Sequence, residues 1–191
     1  MAPLIALMMA LFVIALLVIY FYNTLISLKV RVQEGWSDIL VQLKRRHDLI
    51  GNLVETVKGY AKHEAETLEK VVEARNAAKA AEGGNPKAVL AAENQLTKAI
   101  GGINFSALAE AYPDLKANQN FISLQGELAD TENKIAASRR FYNTTVSNLN
   151  TAIQQFPGNL FAGLAKATAA EFFEVDEKEE KAVNTAPQVK F

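Results

Sequence analysis

The chain has 191 residues, which is enough for one domain with an accessory segment. Its 20 Lys and Arg residues against 21 Asp and Glu residues leave it near neutral, and a nucleic-acid binder usually carries a basic domain. Since cysteine is absent, disulfides, a thiol nucleophile and a cysteine-ligated metal are excluded.

The first predicted element, residues 1–28, carries no charged side chain and is apolar for longer than the roughly 20 residues that cross a bilayer. A secretory signal would have a basic start and a shorter apolar core. A buried globular helix would rarely be apolar all round. The aromatic run Tyr20-Phe21-Tyr22 lies where an interfacial belt is expected. We therefore predict a retained transmembrane anchor.

The orientation of this anchor is predicted from the basic residues around it. Lys29, Arg31, Lys44, Arg45 and Arg46 follow the apolar segment, and no Lys or Arg precedes it. The positive-inside tendency then favours a short outside N-terminus and a cytoplasmic body.

Residues 29–170 predict a helical bundle whose first helix continues directly from the anchor. Apolar residues recur at steps of three and four, as in one face of an amphipathic helix, from Trp36 to Val72. No proline occurs between Leu4 and Glu82, so we expect this helix to end at Gly83-Gly84, with a bend near Gly35.

A second helix is predicted from Pro86 to about Ala111, with Asn85 as its N-cap. The sequence Tyr112-Pro113-Asp114 then predicts a break. A short, Ala-rich fourth helix is expected from Leu160 to Ala170, and residues 171–191 form an acidic and polar tail.

The third helix, before Pro157-Gly158, has the most regular pattern in the chain. A second seam of Leu124, Thr131, Ser138, Thr145 and Ala152 is small and partly polar. The principal seam repeats every seven residues, at Phe121, Leu128, Ile135, Tyr142, Leu149 and Phe156. A repeat of seven predicts coiled-coil-like packing against neighbouring helices. The fold class is thus all-α: a transmembrane helix that continues into an antiparallel bundle of three long helices plus a short fourth.

The basic cluster of Lys44, Arg45 and Arg46 has several interpretations. At 100° per residue it lies across from the apolar stripe, with His47 at the stripe edge, so a solvated helix face is favoured. A lipid-surface role would require the helix to lie along the membrane, because Arg46 is about 27 Å beyond Leu28 on a straight helix. Nucleic acid is disfavoured because interleaved aromatic residues are missing. Contacts with another subunit or a partner protein remain open.

Two further groups complete the candidate interaction surface. The sequence EAYPDLKANQNF holds a dense set of polar residues, which serve either to cap the third helix or to form a recognition surface. Charged residues within the third helix favour pairing along or between helices over chemistry. The candidates are Tyr112, Asp114, Lys116, Asn118, Asn120, Arg139 and Arg140.

We find no catalytic, metal or cofactor site: His47 and His63 are too far apart around a helix to share a metal, and no phosphate-binding glycine loop occurs.

Long stretches of the chain resemble the LemA family of bacteria, including WSDILVQLKRRHDLIGNLVETVKGYAKHE, AEAYPDLKANQNFISLQGELADTENKIAASRRFYN, FPGNL and PQVKF. Gly51 departs from the proline typical of that family, and Gly35 replaces a common alanine. The resemblance implies a helical bundle with a very long first helix behind an N-terminal span, and no established enzymatic activity or ligand residues. Some relatives are associated with magnetosome membranes.

The sequence therefore predicts a non-enzymatic, membrane-anchored helical scaffold without cofactors, which self-associates and organises or remodels the membrane. Its expected partners are membrane lipid and further copies of the chain. The alternative is a monomeric anchored adaptor that binds a partner protein through residues 111–120 or through the C-terminal tail.

Overall fold

A computed structural model describes residues 1–173, apart from the side chains of Ala2 and Lys62. Over this range the chain contains helices and no strands, which confirms the all-α fold class. The helices are α1 Ala2–Lys58, α2 Ala65–Ala81, α3 Pro86–Gly101, α4 Phe105–Ala111, α5 Pro113–Lys116, α6 Gln119–Gln154 and α7 Gly158–Phe161, with a 3₁₀ turn at Lys62–Glu64. The predicted acidic tail lies almost entirely outside the described residues.

Helix α1 joins the apolar N-terminal segment to the following amphipathic segment without interruption, as predicted. Gly35 lies inside this helix, where a Cβ atom would stand only 3.2 Å from the Cα of Tyr142. The glycine thus permits a close approach of α6. At Gly51 the missing side chain leaves room for the guanidinium of Arg75, and α1 continues through that position as well.

The first long helix ends at Lys58, so the prediction that it extends to Glu82 was wrong. The backbone amide of Ala61 donates to the carbonyl of Val57 at 2.8 Å, and a 3₁₀ turn follows before α2. Glycine at position 59 weakens the helix here by about 1 kcal/mol relative to alanine. Val57, Ala61 and Leu68 are all buried in one core, so the apolar spacing continues across the break and conceals it.

The predicted second helix is likewise divided in two. Asn85 caps α3 as expected, accepting a hydrogen bond from the amide of Ala88 at 2.8 Å. After Gly101-Gly102, however, Asn104 caps the separate helix α4 by accepting from the amide of Ala107 at 3.0 Å. A second asparagine cap therefore ends what the periodicity predicted as one helix.

Helix α6 confirms most of the predicted seven-residue seam. Phe121, Ile135, Tyr142 and Leu149 are buried and Leu128 is half-buried, whereas Phe156 lies beyond the helix end and is 80% exposed. On the second seam the hydroxyl groups of buried Thr131 and Thr145 donate to backbone carbonyls within α6. Internal hydrogen bonding is what allows these polar residues to be buried.

The predicted fourth helix is shorter than expected. After α7, the amide of Ala167 donates to the carbonyl of Ala162 and the amide of Lys166 donates to that of Gly163. This pair of bonds is a Schellman motif, and Lys166 takes its left-handed position with φ 47°. The motif ends the helical turns four residues before Ala170.

The chain divides into two compact units. The anchor unit comprises residues 1–41 and 135–172, and the α2–α5 unit comprises residues 42–134 with Phe173. In the anchor unit Leu25 and Leu149 are buried with Ala165 and Ala167. The core of the α2–α5 unit contains Ile50, Leu53, Val54, Val57, Ala61, Leu68, Val71, Ala78, Leu96, Ile103, Leu108, Leu115 and Phe121.

In the N-terminal part of α1 the apolar residues are exposed, in contrast to those of the two cores. Most large apolar side chains from Leu4 to Tyr20 are between 48% and 70% exposed. Within residues 1–173, α1 is the one helix whose length and composition suit a membrane span. Leu25 is the first fully buried residue of α1, and Phe21 before it is half-buried against Phe161 of the anchor unit.

Candidate functional site

A cluster of charges lies inside the α2–α5 unit, where buried Arg46, His47 and Glu93 are joined by the more exposed carboxylates of Glu82 and Glu132. Arg46 projects from α1, and its Nη1 donates to Glu93 Oε2 on α3 at 2.7 Å. Its Nε lies 2.7 Å from Glu132 Oε1 on α6, an ion-pair distance without hydrogen-bond alignment. One guanidinium thus connects three helices.

Thr97 and Arg75 complete the surroundings of these charges. Arg46 Nη2 donates to the hydroxyl of Thr97 at 2.9 Å, and that hydroxyl donates in turn to the backbone carbonyl of Glu93. Arg75 donates from Nε to the backbone carbonyl of His47 at 2.5 Å. Buried charge is costly unless it is paired and hydrogen-bonded, and here nearly every polar atom has a partner.

His47 has no solvent exposure and joins the cluster through both ring nitrogens. Its Nε2 lies 2.6 Å from Glu93 Oε1, and its Nδ1 lies 2.9 Å from Glu82 Oε1. Ionised carboxylates accept hydrogen bonds but do not donate them. A ring nitrogen that carries its proton therefore donates to the carboxylate beside it, so His47 ties α1 to Glu82 and to Glu93 on α3.

The prediction that Arg46 lies on a solvated face with Lys44 and Arg45 was wrong, because Arg46 is only 5% exposed and His47 is fully covered. A single-stripe pattern assumes packing on one side of α1, whereas the carboxylates of Glu93 and Glu132 arrive from two other helices. The available signal was Glu93 itself, which interrupts the apolar stripe of α3 and is buried.

Lys44 and Arg45 do lie on the exposed face. Arg45 Nη2 is 3.5 Å from Glu127 Oε2, with both side chains nearly half exposed. Exposed pairs of this kind contribute little to stability. The two residues therefore remain available for contact with lipid, another copy or a partner protein.

The segment around α5 keeps the candidates between residues 112 and 120 together. Asp114, Lys116 and Asn120 are exposed, while Tyr112 and Asn118 are half-buried. The side chain of Asn118 accepts from the first amides of α6, at 2.9 Å and 3.2 Å, which confirms the predicted capping role. Its amide nitrogen also donates to the hydroxyl of Tyr60 at 3.0 Å.

Two clefts in the α2–α5 unit border this segment. The first, of about 370 Å³, is lined by Glu64, Thr67, Leu68, Gly102, Ile103, Asn104, Ala107, Leu108, Ala111 and Tyr112. The second, of about 470 Å³, is lined by Asn52, Glu55, Thr56, Asn120, Ser123, Leu124 and Glu127. Tyr112 and Asn120 thus lie at different clefts, although they are close in sequence.

Arg139 and Arg140 belong to the anchor unit, unlike the other candidates. Arg140 is exposed and Arg139 is half-buried with partners of its own. In the same unit the hydroxyl of Tyr142 donates to the carbonyl of Glu171 at 2.8 Å. Burial, and then the negative charge of Glu171, raise the pKa of the Tyr142 phenol.

Exposed ion pairs along single helices explain two other shifts. Lys70 bonds Glu66 at 2.7 Å and holds the pKa of that carboxyl below its ordinary value. Lys134 does the same to the pKa of Asp130. These pairs are the i,i+4 contacts expected from helical charge spacing. Over the described part of the chain, no group of three His, Asp or Glu residues is arranged to hold a metal ion.

These features define a class of protein. Its members are all-helical, begin with a helix apolar enough to span a membrane, and use paired charges to join helices. The chain belongs to the LemA family, whose family model matches residues 35–191.

Known relatives agree with this membership. The chain is 27% identical to magnetosome protein MamQ 1 of Paramagnetospirillum magneticum over 177 aligned positions, covering 80% of this chain and 64% of that protein. It is 26% identical to magnetosome protein MamQ of Magnetospirillum gryphiswaldense over 176 positions, with the same coverage. It is 27% identical to protein LemA of Metamycoplasma hominis, covering 86% of this chain and 74% of that one. The chain thus spans less than two thirds of the length of the MamQ proteins.

Proposed function

We propose that this protein is a non-enzymatic helical scaffold, anchored in a membrane by residues 1–28, that self-associates and organises or remodels the bilayer. The observation that carries the proposal is the exposed apolar surface of α1 from Leu4 to Tyr20. Such a large contiguous apolar surface requires a partner, and its length matches the hydrocarbon thickness of a bilayer. The magnetosome relatives are consistent with a protein that works at a membrane.

Anchoring is tested by extraction of membranes with alkaline carbonate. The full chain should stay with the membrane pellet, whereas replacement of both Leu11 and Ile14 by lysine should release it, since each buried charge costs roughly 3 kcal/mol at the centre of a span. A matched change of Leu11 and Ile14 to alanine should leave the chain in the pellet. Release of the unaltered chain would refute the anchor.

Self-association is supported by apolar side chains on the helices beyond the anchor. Val41 is 62% exposed on α1, and Ile122 and Phe141 are each 49% exposed on α6. Measurement of particle mass in detergent over a wide concentration range tests the scaffold directly. Oligomers that persist on dilution are expected, and a monomer at every concentration would contradict the proposal.

Disulfide trapping in membranes then locates the contact, because the natural chain has no cysteine. Phe141→Cys should form dimers if α6 faces another copy. Ser147→Cys is a matched control, since it is exposed on another face of the same helix. Equal trapping at both positions would indicate random collision rather than a defined interface.

The adaptor remains the second candidate, and the cleft beside Tyr112 favours it. That cleft of about 370 Å³ has both polar and apolar walls, of which Glu64 and Asn104 are polar examples. If the protein is an adaptor, crosslinking in cells through Tyr112→Cys should capture one dominant foreign protein. Self-crosslinks through α6 without such a product would favour the scaffold.

We further propose that the anchor lies in the bacterial inner membrane with the body in the cytoplasm. Lys29 and Arg31, directly after the apolar segment, support this orientation through the positive-inside tendency. A C-terminal fluorescent fusion that folds only in the cytoplasm should be bright. A C-terminal phosphatase fusion active only outside the cytoplasm should be silent, and the reverse pair of results would invert the topology.

A further inference from the structure

A second exposed apolar surface lies outside the anchor, in the segment of residues 156–164 that follows α6. Phe156, Leu160 and Leu164 are 80%, 66% and 61% exposed. Single apolar residues on a surface are ordinary. Here three such large side chains lie within one short segment, and concentrated exposed apolar surface marks contact sites.

Phe161, in the middle of this segment, holds the segment against the anchor. Its ring stacks on that of Phe21, with ring centroids 5.5 Å apart and planes 2° from parallel. Phe21 belongs to the aromatic run at the end of the long apolar stretch, where Tyr20 is 64% exposed. Aromatic residues in such positions lie at the membrane–water interface. The stacking therefore holds residue 161 at the level where the anchor leaves the apolar layer.

A second contact ties the far end of the segment to the same region. Lys29 donates from Nζ to the backbone carbonyl of Lys166 at 3.3 Å. Lys29 is the first charged residue of the chain and marks the level of the polar headgroups. Since Phe21 and Lys29 are eight residues apart, they differ in depth by about 12 Å on a helix. That interval covers the headgroup layer, which is roughly 5–8 Å thick on each side of a bilayer.

The local fold turns the apolar side chains away from the protein. The amide of Ala165 donates to the carbonyl of Phe161 at 3.0 Å, which continues the helical turns past α7. Ala165 is buried with Leu25 and Leu149 in the core of the anchor unit. Residues four apart share one face of a helical turn, so Leu160 and Leu164 share the outer face.

We propose that residues 156–164 form a second membrane contact, in which Phe156, Leu160 and Leu164 insert into the headgroup–acyl boundary beside Phe21. This inference rests on the proposed anchoring of residues 1–28. The occupant is the lipid bilayer because both contacts hold the segment at interfacial depth, where interfacial elements bury apolar side chains by about 5–10 Å. The anchor unit then meets the bilayer at two points, and its orientation on the membrane surface is fixed.

The test uses the full chain reconstituted in phosphatidylcholine vesicles, with single cysteines labelled by the fluorophore NBD. Leu160→Cys and Leu164→Cys report on the segment, and Tyr20→Cys reports on the anchor. The matched control is Phe141→Cys, because Phe141 is exposed but packs against Gly35, about 21 Å beyond Phe21 along α1. Doxyl-labelled phosphatidylcholine is the quencher, and circular dichroism verifies that each variant is folded.

Quenching of the Leu160 probe should approach that of the Tyr20 probe, and quenching of the Leu164 probe, which lies nearer to Lys29, should be weaker than at Leu160. Both should be quenched more strongly than the Phe141 probe, as expected for insertion by about 5–10 Å. Quenching no stronger than at Phe141, with the Tyr20 probe quenched, would overturn the second contact and leave the anchor intact. An unquenched Tyr20 probe would instead refute the anchor. Pyrene excimers at Leu160 without lipid quenching would show that a second copy occupies this apolar surface and would also overturn the proposal.

Discussion

Replacement of Arg46 by methionine should destabilise the α2–α5 unit far more than the same replacement of its neighbour Arg45. Methionine keeps most of the side-chain stem and removes the guanidinium. Arg46 and Glu93 are each about 6% exposed, so removal of one partner leaves a buried charge. Breaking a buried ion pair in this way costs about 3–5 kcal/mol.

The structure places the expected cost near the lower end of that range. Glu132 is 46% exposed and can be rehydrated, so the loss of its pair with Arg46 adds little. Glu93 also keeps His47 as a partner on its other oxygen. We therefore expect a loss of about 3 kcal/mol for Arg46→Met. Arg45→Met should cost less than about 1 kcal/mol, because its pair is exposed on both sides.

Thermal unfolding of the detergent-solubilised full chain, followed by far-ultraviolet circular dichroism, measures this difference. A loss of 3 kcal/mol corresponds to a fall in Tm of roughly 6–12 °C for a chain of this size. The double variant Arg46→Met/Glu93→Gln should lose less than the sum of the two single variants, because the two charges interact directly. Equal losses for Arg45→Met and Arg46→Met, or strict additivity in the double variant, would refute the assignment of a buried, coupled cluster.

Four further predictions use the same unfolding measurement. Asn118→Ala should cost about 1 kcal/mol through loss of the α6 cap, and an unchanged Tm would remove that role. Burial raises the pKa of the Tyr142 phenol in the folded state. The stability that the neutral phenol contributes is therefore complete below its ordinary pKa of about 10 and is lost as pH rises through the raised pKa. Tyr142→Phe should flatten the alkaline part of a Tm–pH curve and should cost about 1 kcal/mol at neutral pH through the lost hydrogen bond. Gly158→Ala should lower stability by about 1–3 kcal/mol, since its Cβ would overlap the carbonyl oxygen of Ala152, and a neutral result would contradict this crowding. Lys166→Gly should stabilise the chain by about 1 kcal/mol by relieving the left-handed backbone, and a loss of stability would show that the lysine side chain compensates for that strain.

Periodicity and capping signals were sufficient to predict the helical class and several helix ends. Asn85 and Asn118 begin helices as expected, and Pro157-Gly158 ends α6. The breaks after Lys58 and Gly101 were missed because buried residues on both sides keep the helical spacing. Apolar spacing reports which residues face a core, and it does not report whether the backbone between them is continuous.

The candidate site was harder to predict, because its geometry depends on helices far apart in sequence. The sequence shows Arg46 beside Lys44 and Arg45, and three adjacent basic residues indicate an exposed face. Only the fold brings Glu93 and Glu132 to one of the three. An acidic residue within an apolar stripe, such as Glu93, is the signal that a buried partner of opposite charge exists on another helix.

The position of the ion cluster suggests why the chain keeps charges in a core that apolar residues could fill. The seams of α6 combine a repeat of seven with small residues such as Ala152, and such seams permit several registers of similar energy. Apolar contacts tolerate a shift by one turn, whereas a guanidinium that must meet Glu93 and Glu132 tolerates none. Buried polar groups are best attested in this role of fixing register. We therefore infer that the charges of the α2–α5 unit fix the register of α1, α3 and α6 at some cost in stability.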